Sequence, residues 1–165
     1  MRNSNSNSDF VQKVKKLIEK GRTVSCMESF TCGLFAASLG EVSGLSSVFV
    51  GGNVTYSNFA KECCGVKKEL LEKYTAVSKE VCEDMALSSL KFYRTEYAVS
   101  FTGNAGPNPS EGKPVGLYYI GFAKNCGDSY KTEVREFYTP DKSRDEIRQE
   151  AVIFALTHLI EFMEE

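Results

Sequence analysis

Ser29 lies in Thr23-Val24-Ser25-Cys26-Met27-Glu28-Ser29-Phe30-Thr31-Cys32-Gly33, where a β-prone run breaks into a hydroxyl-rich turn that opens a helix. A serine at such a corner has three uses. It caps the helix, binds an anion at free N–H groups, or attacks an electrophile whose oxyanion those groups stabilise. As a nucleophile it needs a base, and a lysine made less basic by burial supplies one. Lys61 fits by its apolar neighbours Phe59, Ala60, Cys63 and Cys64 and by its place at the start of a short helix. Tyr56, just upstream, is a further proton donor or relay. A third polar segment runs Thr102-Gly103-Asn104-Ala105-Gly106-Pro107, then Ser110-Glu111-Gly112-Lys113-Pro114-Val115-Gly116. Its glycines admit a ligand to the backbone, and its turn amides can cradle a phosphate.

Each residue also has a plainer use. Ser29 or Thr31 serves as an N-cap, Lys61 as a solvated surface lysine, and Tyr56 as a core aromatic. Arg144 and Arg148, one helical turn apart, read as exposed. His158 falls on the apolar stripe of the last helix and reads as a satisfied core histidine. Cys32, near a helix start, is the rival nucleophile, because thiolates are activated there.

The elements that must position these groups follow from hydrophobic periodicity and turn residues. Asp9 caps a first helix with Phe10, Val11, Val14, Leu17 and Ile18 on one face, ended by Gly21. The Thr23 strand follows, then a helix over Thr31–Glu41 and a strand over Val48–Tyr56 in which Gly51-Gly52 mark a bulge. Short helices are expected over Asn58–Cys64 and Lys67–Lys73. Ser78 then caps a longer helix to Arg94 with Val81, Cys82, Met85, Ala86 and Leu90 inward. Strands are expected over Tyr97–Thr102, Val115–Lys124 and Lys131–Tyr138, the last two joined by Asn125-Cys126-Gly127-Asp128 as a hairpin. A final helix starts near Ser143. This order predicts one three-layer α/β/α domain with a mixed β-sheet over residues 9–165, after a disordered tail over 1–8. All three polar segments fall at strand ends, where open α/β sheets bind ligands.

A chain of 165 residues with 42% hydrophobic and 25% charged residues has the composition of a soluble globular domain. Its formal charge of -2 leaves no polycationic footprint for nucleic acid. Six cysteines without CxxC pairing, and a single histidine, argue against a zinc site, so no metal or cofactor is expected. No apolar run is long enough for a membrane helix, and no secretory signal is evident, so reduced thiols and a cytoplasmic location are expected.

The combined motifs resemble the CinA C-terminal-domain family of nicotinamide-nucleotide amidases. The family pattern has an E-S-C-T-G-G turn, a Y-S-N-x-x-K segment, an A-V-S segment, a T-G-I-A-G-P loop and a K-P-V-G strand entry. The counterparts are Glu28–Gly33, Tyr56–Lys61, Ala76-Val77-Ser78, Thr102–Pro107 and Lys113–Gly116. The resemblance implies an α/β/α amidase in stand-alone form that hydrolyses the carboxamide of nicotinamide mononucleotide, giving nicotinate mononucleotide and ammonia. It implies Ser29 as nucleophile, with Lys61 and Tyr56 activating it. Glu28, Thr31, Gly33, Thr102, Gly103, Asn104, Ala105 and Gly106 are implied to hold substrate or oxyanion, with Lys113 and Arg144 toward the phosphate. It further implies a small phosphorylated substrate as partner and a homo-oligomer. Phe30, Cys32 and Asn104 depart from the pattern. Cys32 brings bulk to a turn expected to approach substrate, and together they motivate a second reading: a diverged, non-catalytic module that binds a pyridine nucleotide or a partner.

Overall fold

The computed structural model describes residues 4–165, with side chains from Ser8 onward. Five strands form one mixed sheet in the order β2-β1-β3-β4-β5. They are β1 (Val24–Glu28), β2 (Phe49–Val54), β3 (Tyr97–Gly103), β4 (Leu117–Asn125) and β5 (Tyr130–Tyr138). The first three run parallel, and β4 and β5 are antiparallel to their neighbours. The expected hairpin joins β4 to β5, with Gly127 at φ 88° and its N–H on Asn125 Oδ1 at 2.9 Å.

Helix α1 (Ser4–Lys20) begins before Asp9, so Ser4–Ser8, expected as tail, belong to it; residues 1–3 lie outside the described residues. With α2 (Leu34–Gly40) and α6 (Arg144–Phe162) it covers one face of the sheet. Large side chains face this layer: Phe10, Val14 and Leu17 from α1 share one core cluster with Val99 and Phe101 from β3 and Ile120 and Phe122 from β4. The other face carries small groups, Ala98, Ser100, Gly121 and Ala123, and α5 (Lys79–Tyr93) lies close over them. A Cβ on Gly121 would come within 2.8 Å of the Cys82 carbonyl. Strand alternation thus decides which helix layer sits nearest. The helices α3 (Asn58–Cys63) and α4 (Lys68–Tyr74) complete this side.

Ser78 caps α5 as expected, accepting from Val81 N–H, and the last helix opens at Ser143 with a reciprocal capping box to Glu146 that the sequence reading did not name. The register between β1 and β2 shifts at Val24/Ser25, where Gly51 lets the Tyr93 ring lie against the strand. The chain leaves β1 toward β2 on one side and returns past it to β3 on the other. The carboxyl ends of β1 and β3 therefore flank a topological switch point, the crevice where such sheets bind ligands. Among the described residues no helix is long and apolar enough to cross a membrane.

Candidate active site

At that crevice a cavity of about 620 Å³ opens, within the range of small-molecule sites. Ser29, Tyr56 and Lys61 line it, as do the loop after β3, the Ala76–Val77 segment and Arg144. All three sequence segments thus reach one place.

Its centre is a contact between two buried side chains. Lys61 is 1% exposed and Ser29 9%. The lysine Nζ donates to Ser29 Oγ at 3.0 Å and to the Thr55 carbonyl at 2.7 Å. Burial drives the Lys61 pKa from 10.5 down to about 8, opposed by the charge of Glu111. Desolvation penalises an ammonium more than an amine, so a usable neutral fraction exists near neutral pH. The sequence reading credited the helix start as well. Lys61 instead sits in the last turn of the six-residue α3, so burial carries the shift. Thr55 escaped the sequence reading because its carbonyl contributes, and a backbone acceptor leaves no residue-type signal.

The turn after Ser29 differs from expectation. Gly33 has φ 85° and delays α2 to Leu34. The first turn of α2 takes its negative group from the chain itself, because the fully buried Glu28 accepts from Phe35 N–H at 3.1 Å and Ala36 N–H at 2.9 Å. Glu28 therefore caps the helix and does not line the cavity. Glu28→Ala strands one buried and one part-buried amide and is expected to cost about 3 kcal/mol of stability, measurable by urea unfolding. Thr31 is also buried outside the cavity; its carbonyl accepts from Arg148 Nη2 at 2.9 Å. Gly33 and Cys32 lie outside too, and Cys32 is exposed, so its bulk does not narrow the cavity. Phe30 is 3% exposed and packs on Tyr118.

The loop after β3 is held by its own polar groups. Asn104 Oδ1 accepts from Gly106 N–H at 3.0 Å, and its Nδ2 donates to the Asn108 and Lys113 carbonyls. Asn104 borders the cavity, yet its side chain builds the loop. Thr102 Oγ1 donates to the Ala76 carbonyl at 2.6 Å. The glycines answer to the chain's own packing: a Cβ on Gly103 would meet Tyr118 at 2.3 Å, and one on Gly106 would meet Val115 at 2.8 Å. Lys113 pairs by its backbone with Ser110 and does not line the cavity.

Tyr56 lines the wall but is half-exposed, and its hydroxyl accepts from Arg144 Nη2 at 2.9 Å; it bonds to neither Ser29 nor Lys61. Arg144 also donates to the Gly106 carbonyl at 2.7 Å, bridging two walls of the mouth. Arg144 is exposed as expected while Arg148 is half-buried, and both have hydrogen-bond partners. His158 behaves as the core histidine expected, between Phe122 and Phe154 and bonded to Glu133 and Glu161. The amides of Ser29 and Cys32 are taken by Phe101 and Ser29 carbonyls. Among the described residues the amides of Phe30 and Ala105 make no hydrogen bond, and both residues line the cavity.

This fold and its motif set belong to a known class. The chain is a member of the CinA C-terminal domain family, whose model matches residues 8–163. It is 42% identical over 142 residues to a protein of Escherichia coli (strain K12) named nicotinamide-nucleotide amidohydrolase PncC, covering 85% of this chain and 84% of that one. It is 40% identical over 148 residues to a putative competence-damage inducible protein of Bacillus subtilis (strain 168), covering 89% of this chain. The chain spans about a third of that relative's length, 34%, as it does for a CinA-like protein of Prochlorococcus marinus. Among solved structures, the competence/damage inducible protein CihA from Agrobacterium tumefaciens superposes with TM-score 0.86 at 36% identity, covering 95% of this chain and 96% of that one. A CinA superfamily protein from Klebsiella pneumoniae gives 0.88 at 25% identity, covering 99% of each.

Proposed function

We propose that this chain is an amidase that hydrolyses the carboxamide of nicotinamide mononucleotide through an acyl-enzyme on Ser29. The observation that carries the reading is the 3.0 Å contact between Ser29 Oγ and a buried lysine of pKa about 8. The name of the E. coli relative, whose length this chain largely covers, supports the substrate class. Neutral Lys61 takes the Ser29 proton as Oγ attacks the carboxamide carbon. The tetrahedral oxyanion accepts from the free Phe30 amide, an interaction worth about 3–4 kcal/mol in comparable sites. Lys61 returns its proton to the leaving nitrogen, ammonia departs, and water, deprotonated by the same amine, releases the carboxylate and regenerates Ser29.

Arg144 at the cavity mouth is the cation placed to meet the phosphate, exchanging its Tyr56 and Gly106 bonds for phosphate oxygens. Tyr56 then acts through Arg144 and has no direct part in proton transfer. The proposal includes a small phosphorylated substrate and a cytoplasmic setting, with no nucleic-acid partner, and a homo-oligomeric assembly. Nothing at Phe30, Cys32 or Asn104 favours the non-catalytic reading, since none of these side chains disturbs the Ser29–Lys61 contact.

A neutral-amine base fixes the sign of the pH dependence. kcat/KM is expected to rise about tenfold per pH unit on the acid side and to level off near pH 8. A limb near 10.5, or none, would remove Lys61 from the base role. The first test is purified protein with nicotinamide mononucleotide and an ammonia assay; saturable binding without ammonia release would overturn the amidase reading.

A further inference from the structure

Among the described residues four that are not glycine have positive φ, Cys32, Thr75, Arg94 and Glu111, and one hydrogen bond joins the segments that Thr75 and Glu111 shape. Thr75, at the end of α4, has φ 66° and ψ 167°, a region that β-branched residues all but avoid. Glu111 has φ 51° and is followed by Gly112 at φ 72°, between Ser110 and Lys113, whose backbones pair at 2.8 Å and 3.3 Å. That is a two-residue turn with positive φ at both central positions, where Asn or Gly is favoured and Glu is not. The Ala76 amide, turned outward by Thr75, donates to Glu111 Oε2 at 3.0 Å. Both residues line the cavity. Strain kept by two non-glycine residues at one contact beside a reactive centre points to a use for that contact.

We propose that Glu111 is a positioning residue of the amidase site: its carboxylate straps the loop after β3 onto the Ala76 amide, closing the cavity wall, and faces Lys61 with a negative charge. This rests on the amidase reading above. Among the described residues the only other side-chain bond to Ala76 runs from Thr102 to its carbonyl, so Ala76 is held on both its polar atoms. The charge opposes the effect of burial on Lys61, raising the amine's pKa where desolvation lowers it. Glu111 therefore restrains the base from losing its proton outright, leaving an ammonium available for the departing nitrogen.

Stability and function should separate on substitution. Glu111→Asn suits the turn and is too short to hold the strap, so the melting temperature is expected to stay level or rise while KM for nicotinamide mononucleotide increases about tenfold, the loss of one charge-assisted hydrogen bond. Glu111→Gln keeps an acceptor without the charge. It should restore KM and move the acid limb of kcat/KM to lower pH. The Lys61 side-chain titration followed by NMR, which needs no substrate, should move the same way in both variants. An unmoved titration in Glu111→Gln, or wild-type KM in Glu111→Asn, would overturn the role of Glu111. Failure of the amidase reading would appear separately, as wild-type protein that releases no ammonia.

Discussion

Ser29→Ala is expected to lower ammonia release from nicotinamide mononucleotide by about 10⁴-fold or more, the scale seen when a serine nucleophile is removed. The fold should be indifferent to the change. The Ser29 backbone stays tied to the Phe101 carbonyl, and only a hydroxyl that accepts from Lys61 is lost. Lys61 keeps its bond to the Thr55 carbonyl. Cys32→Ser serves as the matched control and should retain near-wild-type turnover, because that side chain is exposed and off the cavity. Steady-state assays of the two variants decide it: Ser29→Ala at more than a tenth of wild-type activity, or a collapse in Cys32→Ser, would move the nucleophile elsewhere.

Lys61→Met is expected to abolish turnover to a similar degree, about 10³-fold or more, while changing stability little at neutral pH. Two opposing costs set the second half of this prediction. Holding an ammonium whose pKa has fallen from 10.5 to about 8 costs the fold about 3–4 kcal/mol at pH 7, from about 2.5 pH units at about 1.4 kcal/mol each. Methionine fills the space without that cost but orphans the buried Thr55 carbonyl, which costs about 1–3 kcal/mol. The sign of the linkage is a further handle. Between pH 8 and 10.5 the unfolded chain binds more protons at this residue than the folded one, so stability from Lys61 rises with pH across that window and is lost as pH falls through 8. Urea titrations at pH 7 and 10 should show that rise in wild-type and not in Lys61→Met. A variant that loses more than about 4 kcal/mol at pH 7 would contradict this balance.

The sequence carried the layer order because periodicity and turn residues specify it locally. The apolar faces of α1, α5 and α6, the cap at Ser78, the start of α6 near Ser143 and the β4–β5 hairpin all follow from residues within a few positions of one another. The pairing of Ser29 with Lys61 was legible for a different reason: a polar group amid apolar neighbours, at a strand end, has few places to go. What escaped was decided by which way a turn folds. Glu28 reads as part of a reactive corner, but the extra residues before α2 bring the helix's first amides back over it. Asn104 and Lys113 sit in a loop whose shape depends on contacts inside the loop. Glu111 carried no signal by type; only its backbone conformation and its reach to Ala76 reveal it.

One consequence follows from the hairpin between β4 and β5. Strand β4 starts beside the reactive end of the sheet and runs away from it over nine residues, so its turn at Asn125–Ser129 lies roughly 25–30 Å from the serine. That turn is solvent-facing and closed by its own backbone, with Cys126 N–H on the Ser129 carbonyl at 2.9 Å. A short peptide epitope spliced at Gly127 would therefore give the molecule a handle for immobilisation or single-molecule work while the catalytic end keeps its wild-type rate.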